Sequence, residues 1–168
     1  MDANEFHELV NQHADVVRAC VWRRGSGLDD AVSVPEDICA EVWSIAWQRR
    51  SSAPELSEVG ACKAWVLQIA RHVLANHIRK NVTRRGITAT LRQEELTTAS
   101  AESIVIEDEN IRSIFGLLSA GEKEVMTLTI WEGLKPAEIA AVIGASSNSV
   151  SIKLHKARAM ISQHLESM

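Results

Sequence analysis

The chain has 168 residues, 46% of them hydrophobic, with 22 acidic against 18 basic side chains and a formal net charge of -4. That length allows one domain or two small ones with packed cores. No apolar run is long enough to span a bilayer, and the acidic start MDANEFHELV lacks the basic and apolar regions of a signal peptide, so a cytoplasmic protein without membrane insertion is expected.

Helix formers dominate, Tyr is absent and no segment alternates with period two, which predicts an all-α protein. Cys20, Cys39 and Cys62 are odd in number and widely spaced inside helical patterns, which predicts buried thiols rather than a disulfide framework or a zinc site. His72 and His77 lie five apart rather than four, against a helical metal pair, so neither metal nor cofactor is expected.

The first helix runs from about Glu5 to Arg24, with Phe6, Leu9, Val10, His13, Val16, Val17, Cys20 and Val21 largely on one face before Gly25 ends the pattern. A second opens at Ser33, where Ser-Val-Pro-Glu offers a capping box with Pro in the first turn. Its stripe of Ile38, Val42 and Ile45 is widened by Cys39, Trp43, Ala46 and Trp47, leaving Asp37, Glu41, Ser44 and Gln48 on the other face. So broad an apolar surface is either buried in a bundle or partly given to a partner protein. The segment from Arg49 to Gly60, with its serines, Pro54 and glycine, is an exposed connection.

A third helix begins near Ala61, with Trp65, Ile69 and Val73 along its buried line. Between Glu58 and Glu94 there is no acidic residue, while Lys63, Arg71, Arg79, Lys80, Arg84, Arg85 and Arg92 fall inside that window. An aromatic beside an acid-free basic helix suits nucleic acid, although a basic amphipathic helix also suits a membrane surface or plain solvation. Residues 86–103, rich in Thr, Ser, Ala and Glu, read as a flexible linker between an N-terminal domain at 1–85 and a C-terminal domain at 104–168.

In the second domain, Ile111, Ile114, Phe115 and Leu118 suggest one helix, and Ser119 to Glu122 form a capping box that opens another. Pro136 then suits the first turn of a short helix that Gly144 breaks, and Ser146 caps a last one in which Val150, Leu154, Ala157, Ile161 and Leu165 make the buried stripe. This is a helix-turn-helix pattern. Its free face carries short hydrogen-bonding groups first and cations after them, the order a major groove asks for. The serines serve equally as a capping cluster in a helical domain that never meets DNA. An excess of acids is awkward for a DNA-binding protein, since phosphate neutralisation dominates such affinity. Either the DNA reading fails or a partner supplies the affinity.

The segments PEDICAEVWSIAWQRR, AWVLQIARHVLANHIRK and LLSAGEKEVMTLTIWEGLKPAEIAAVIGASSNSVSIKLHKAR resemble, in order and spacing, the extracytoplasmic-function group of bacterial RNA polymerase sigma factors in the sigma-70 family. The resemblance implies a transcription initiation factor, not an enzyme, that binds core RNA polymerase, recognises a bipartite promoter and promotes melting of the DNA. It implies core polymerase, promoter DNA and an anti-sigma protein as partners. Asp37, Glu41, Val42, Trp43 and Gln48 fall on the polymerase-docking helix, and the loop from Ser51 to Gly60 on the segment that captures a base flipped from the -10 element. Trp65, Arg71, His72, Asn76, Arg79, Lys80 and Arg84 fall on the helix that reads and melts that element. Ser146, Ser147, Asn148, Ser149, Lys153, His155, Lys156 and Arg158 fall on the region that reads the -35 element. The chain departs from the family at Ser151, often basic, at Ile152, often small and polar, at Asn76, often aspartate, and at His72, often asparagine. The competing expectation is an autonomous helix-turn-helix regulator that replaces no polymerase subunit.

Overall fold

Apolar residues spaced three and four apart become helices through most of the described chain. A computed structural model describes residues 1–25, 34–84, 106 and 108–167. In chain order the α-helices are α1 (Ala3–Gly25), α2 (Val34–Gln48), α3 (Val59–Arg84), α4 (Glu109–Gly116), α5 (Ala120–Ile130), α6 (Pro136–Ile143) and α7 (Ser147–Glu166), with a 3-10 turn at Arg50–Ser52 between α2 and α3. No strand occurs among the described residues, and no described helix is long and apolar enough to cross a membrane. The expected cap at Ser33 and the expected linker at 86–103 lie outside the described residues.

Helices α1, α2 and α3 pack pairwise into a three-helix unit. Its core takes Leu9, Val17 and Val21 from α1, Ile38, Val42 and Ala46 from α2, and Val66, Ile69, Ala70, Val73 and Leu74 from α3. One polar group sits inside it. His13 is 2% exposed, and its Nε2 finds no hydrogen-bond partner among the described residues. Burial, and then the Lys63 charge, hold this imidazole below its ordinary value of 6.5. The folded protein therefore binds that proton less tightly than the unfolded chain, so stability falls as pH drops below 6.5. Urea titrations at about pH 7.5 and about pH 5.5 should show that loss in the wild type and a smaller one in His13→Leu. Equal losses in both would mean that His13 does not carry the effect.

The C-terminal unit is built on local capping. Asp108 accepts from the N–H groups of Asn110 and Ile111 to start α4. The capping box opening α5 is present: Glu122 N–H donates to Ser119 Oγ, and Ser119 N–H donates to the Glu122 carboxylate at 2.8 Å. Pro136 stands in the first turn of α6, and α6 ends on Gly144 at φ 69°, left-handed backbone that favours glycine. Ser146 then accepts from Ser149 N–H at 3.2 Å and starts α7. Phe115, Leu128, Ile139, Val142, Val150, Leu154 and Ala157 meet in its core. The stripe foreseen on α7 holds through Ala157, but Ile161 is only half-buried and Leu165 is exposed, because the helix outruns the two helices it packs on.

The two units are not apart. Helix α6 lies against α3, and Cys20 of α1 with Ala64 and Leu67 of α3 join the C-terminal core. Cys20 and Cys62 are buried and Cys39 is half-buried, all three as free thiols; burial pushes the Cys20 thiol up to about 11.

Candidate nucleic-acid interface

Which side of each helix faces the core decides which of the expected site residues are open to solvent. On α7 the buried line runs through Val150, Leu154 and Ala157, so at about 100° per residue the opposite face is centred on Asn148, Ile152, His155 and Lys156. Asn148, His155, Lys156 and Arg158 are exposed, as are Ser146 and Ser147. Ser149 is half-buried beside the cap, where its N–H is engaged. Lys153 turns aside toward α5, its side chain within 3.5 Å of the space a Cβ on Gly121 would take. Ile152 was not among the expected site residues. It is 48% exposed, at the middle of this polar face, and its departure from the polar residue usual at that position was the signal that could have found it.

On α3, Trp65, His72, Asn76, Arg79 and Lys80 share one face. Trp65 packs against the N-terminal core, and the other four are exposed. His72 Nδ1 lies 2.8 Å from the Gln68 carbonyl oxygen, and Arg79 donates to Asn76 Oδ1 at 3.4 Å. The Arg84 side chain lies outside the described residues. Arg71 is on another face: with Lys63 it points at the C-terminal unit, where its Nε lies 3.6 Å from Glu124 Oε1. Burial lowers the Arg71 pKa, and Glu124 partly offsets that. The loop before α3 forms, with Met1 and Glu5, an open pocket of about 420 Å³ lined by Ala53, Pro54, Glu55, Leu56 and Ser57.

On α2, Asp37 and Gln48 are exposed. The Glu41 carboxylate lies 2.7 Å from His77 Nε2 of α3, and Trp43 is half-buried with Phe6 edge-on at 6.3 Å. Trp47, also against Phe6, lies under the Arg50 guanidinium at 4.1 Å. Val42 requires a correction. It is fully buried beneath α1 and α3, so it belongs to the core and not to a docking surface.

Between the units runs an ion network that no local pattern announced. Arg24 of α1 donates to Glu124 of α5 at 2.7 Å, both side chains being 2% exposed. Arg23 pairs with Glu132 and stacks over Trp131 at 5.3 Å. Lys63 Nζ donates to the Glu132 carbonyl oxygen at 3.2 Å. Burial raises the Glu132 pKa, with Arg23 acting against it. For Arg24, burial opposes the charge, but the Glu124 carboxylate more than compensates and holds the guanidinium above its ordinary range.

Residues 108–161 match the family described as "Sigma-70, region 4". The ECF RNA polymerase sigma factor SigC of Mycobacterium tuberculosis is 30% identical over 139 residues, covering 82% of this chain and 73% of that protein. The ECF RNA polymerase sigma factor BldN of Streptomyces coelicolor is 25% identical over 161 residues, covering 93% of this chain and 58% of that protein. In fold, the chain matches CnrH solved with the cytosolic domain of CnrY, at TM-score 0.60 and 21% identity over 99% of this chain and 90% of that one. It also matches RpoE of Bartonella quintana solved with the anti-sigma factor NepR, at TM-score 0.61 and 18% identity over 95% of each.

Proposed function

The chain belongs to the extracytoplasmic-function family of RNA polymerase sigma factors, and from that membership we propose that it binds core RNA polymerase, directs it to a bipartite promoter and holds the melted -10 region open. The observation that supports this best is a pair of polar faces on two different units, α7 with Asn148, His155, Lys156 and Arg158, and α3 with His72, Asn76, Arg79 and Lys80. Two faces suit two DNA elements. The N-terminal half of α7 enters the major groove of the -35 element, with Asn148 and the serines at base edges and Lys156 and Arg158 at phosphates.

Opening the -10 element costs a few kcal/mol of stacking and pairing per extruded base, which a pocket and nearby cations offset. The pocket beside Pro54 takes the flipped base, and the carboxylates of Glu5 and Glu55 at its rim accept from an exocyclic amino group. Asp37, Gln48 and the Phe6, Trp43 and Trp47 cluster meet the polymerase. The polymerase supplies most of the DNA affinity, which explains how a chain of net charge -4 serves at a promoter. An anti-sigma protein is a further partner, as for the RpoE to which the fold is similar. The relatives do not favour the autonomous regulator.

Ile152 gives this reading a sharp test. An apolar side chain in the centre of a recognition face contacts a thymine 5-methyl group. Replacing each -35 thymine in turn by deoxyuridine removes only that methyl, and at one position it should weaken holoenzyme binding several-fold, the worth of about 1 kcal/mol. With Ile152→Ser that position should no longer distinguish the two bases. For the proposal as a whole, the purified protein mixed with core polymerase should co-elute with it and protect two DNA elements from cleavage. Elution as free protein would contradict it.

A further inference from the structure

Between the aromatic cluster of α2 and the pocket beside Pro54 stands Arg50. Helix α2 ends at Gln48, and the chain turns at once through Arg50–Ser52 into the loop that lines the pocket. The Arg50 side chain folds back over this corner. Its guanidinium lies over the Trp47 ring, 4.1 Å from the centroid, and its Nη1 donates to the Trp47 carbonyl oxygen at 2.9 Å. Phe6 meets the same indole in a T-shaped contact with centroids 5.0 Å apart. A helix cap accounts for the hydrogen bond, since an arginine near a C-terminus satisfies a last carbonyl, but it does not account for the stacking. A guanidinium held by a ring against one face and by a bond at its edge is fixed in orientation as well as position, and Arg50 still keeps part of its surface in solvent.

We infer that Arg50, held on Trp47, is a stacking platform for the unpaired base next to the one in the pocket, so that two neighbouring bases of the opened strand are held together. The spacing fits. Ala53 N–H donates to the Arg50 carbonyl oxygen at 3.4 Å, and a turn closed in this way brings its end residues within about 7 Å at Cα, roughly two nucleotides of duplex rise. The charge fits as well. Glu5 and Glu55 at the pocket repel the phosphates of any strand that delivers a base there, and a cation beside them offsets that repulsion. A guanidinium, unlike an ammonium, also offers a base a flat face. Stacking tolerates every base because each has a π-face, so the pocket selects base identity and the platform only holds the strand open.

The inference rests on reading the pocket beside Pro54 as a base site, and the test separates the two claims. Holoenzyme is bound to a fork DNA whose non-template strand is unpaired through the -10 element of a promoter at which it initiates, with an abasic site placed at each unpaired position in turn. Wild type should show two adjacent positions where loss of the base weakens binding, one for the pocket and one for the platform. Arg50→Lys keeps the charge and removes the flat face. It should bind the intact fork about tenfold more weakly, as loss of one stacked base does, with its salt slope unchanged. It should also become insensitive to the abasic site at one of the two positions and stay sensitive at the other. Because the base is removed from the DNA side, the wild-type protein alone already reports how many bases are held. A single sensitive position that Arg50→Lys leaves unaltered overturns the platform and keeps the pocket. A single sensitive position that Arg50→Lys abolishes keeps the platform and counts against the pocket. Equal weakening of Arg50→Lys on every fork, with two sensitive positions retained, reduces Arg50 to a helix cap and overturns the inference, and no sensitive position in wild type overturns both readings.

Discussion

Ile139→Ala should lower the stability of the C-terminal unit by about 2–5 kcal/mol, from lost burial together with the cavity left behind. Ile139 is fully buried on α6, where the short helix leans on α5 and α7. Helix α6 is eight residues long, too short to persist without packing, and Ile139 is one of three buried side chains that hold it. The loss is a large share of the total of about 5–15 kcal/mol that domains of this kind possess. A urea titration should show a lowered midpoint at constant slope, since the surface exposed on unfolding is unchanged. Recognition of the -35 element should fall in parallel, because α7 keeps its angle through α6. A loss well under 1 kcal/mol would mean that α6 is not part of the cooperative core.

Lys156→Ala with Arg158→Ala should reduce the dependence of log affinity on log salt by about 1.8, at 0.9 for each phosphate left without its cation. Both side chains are exposed on the half of α7 beyond Asn148, where a helix entering the major groove passes the backbone. Binding should weaken on every sequence alike. Asn148→Ala should behave otherwise, losing about 1–3 kcal/mol of discrimination at one base pair with its salt slope intact. Holoenzyme bound to -35 duplexes over a salt series separates the two. Loss of sequence preference in the double variant would place its cations at base edges instead of phosphates.

Local chemistry made the C-terminal unit legible in the sequence. Ser119 with Glu122, Pro136, Gly144 and Ser146 each satisfy a backbone need within four residues, so their roles follow from spacing alone, and all stand where expected. The polar face of α7 followed from the buried line opposite it. Pairings between distant segments were not legible. Glu124 and Glu132 drew no expectation from the sequence, because the arginines that make their burial tolerable lie 100 and 109 residues earlier. Arg71 was hidden in the same way, because the carboxylate it faces, Glu124, is also far from it in sequence. Val42 was misplaced for a related reason: a helix apolar around much of its girth does not declare which apolar residue faces a partner and which the core.

Promoter-dependent transcription by purified core polymerase, with and without this protein on a library of genomic fragments, tests the central claim most directly. Discrete new start sites that require the protein, preceded by two shared sequence elements at constant spacing, are the predicted result. Start sites identical in the presence and absence of the protein would contradict the account.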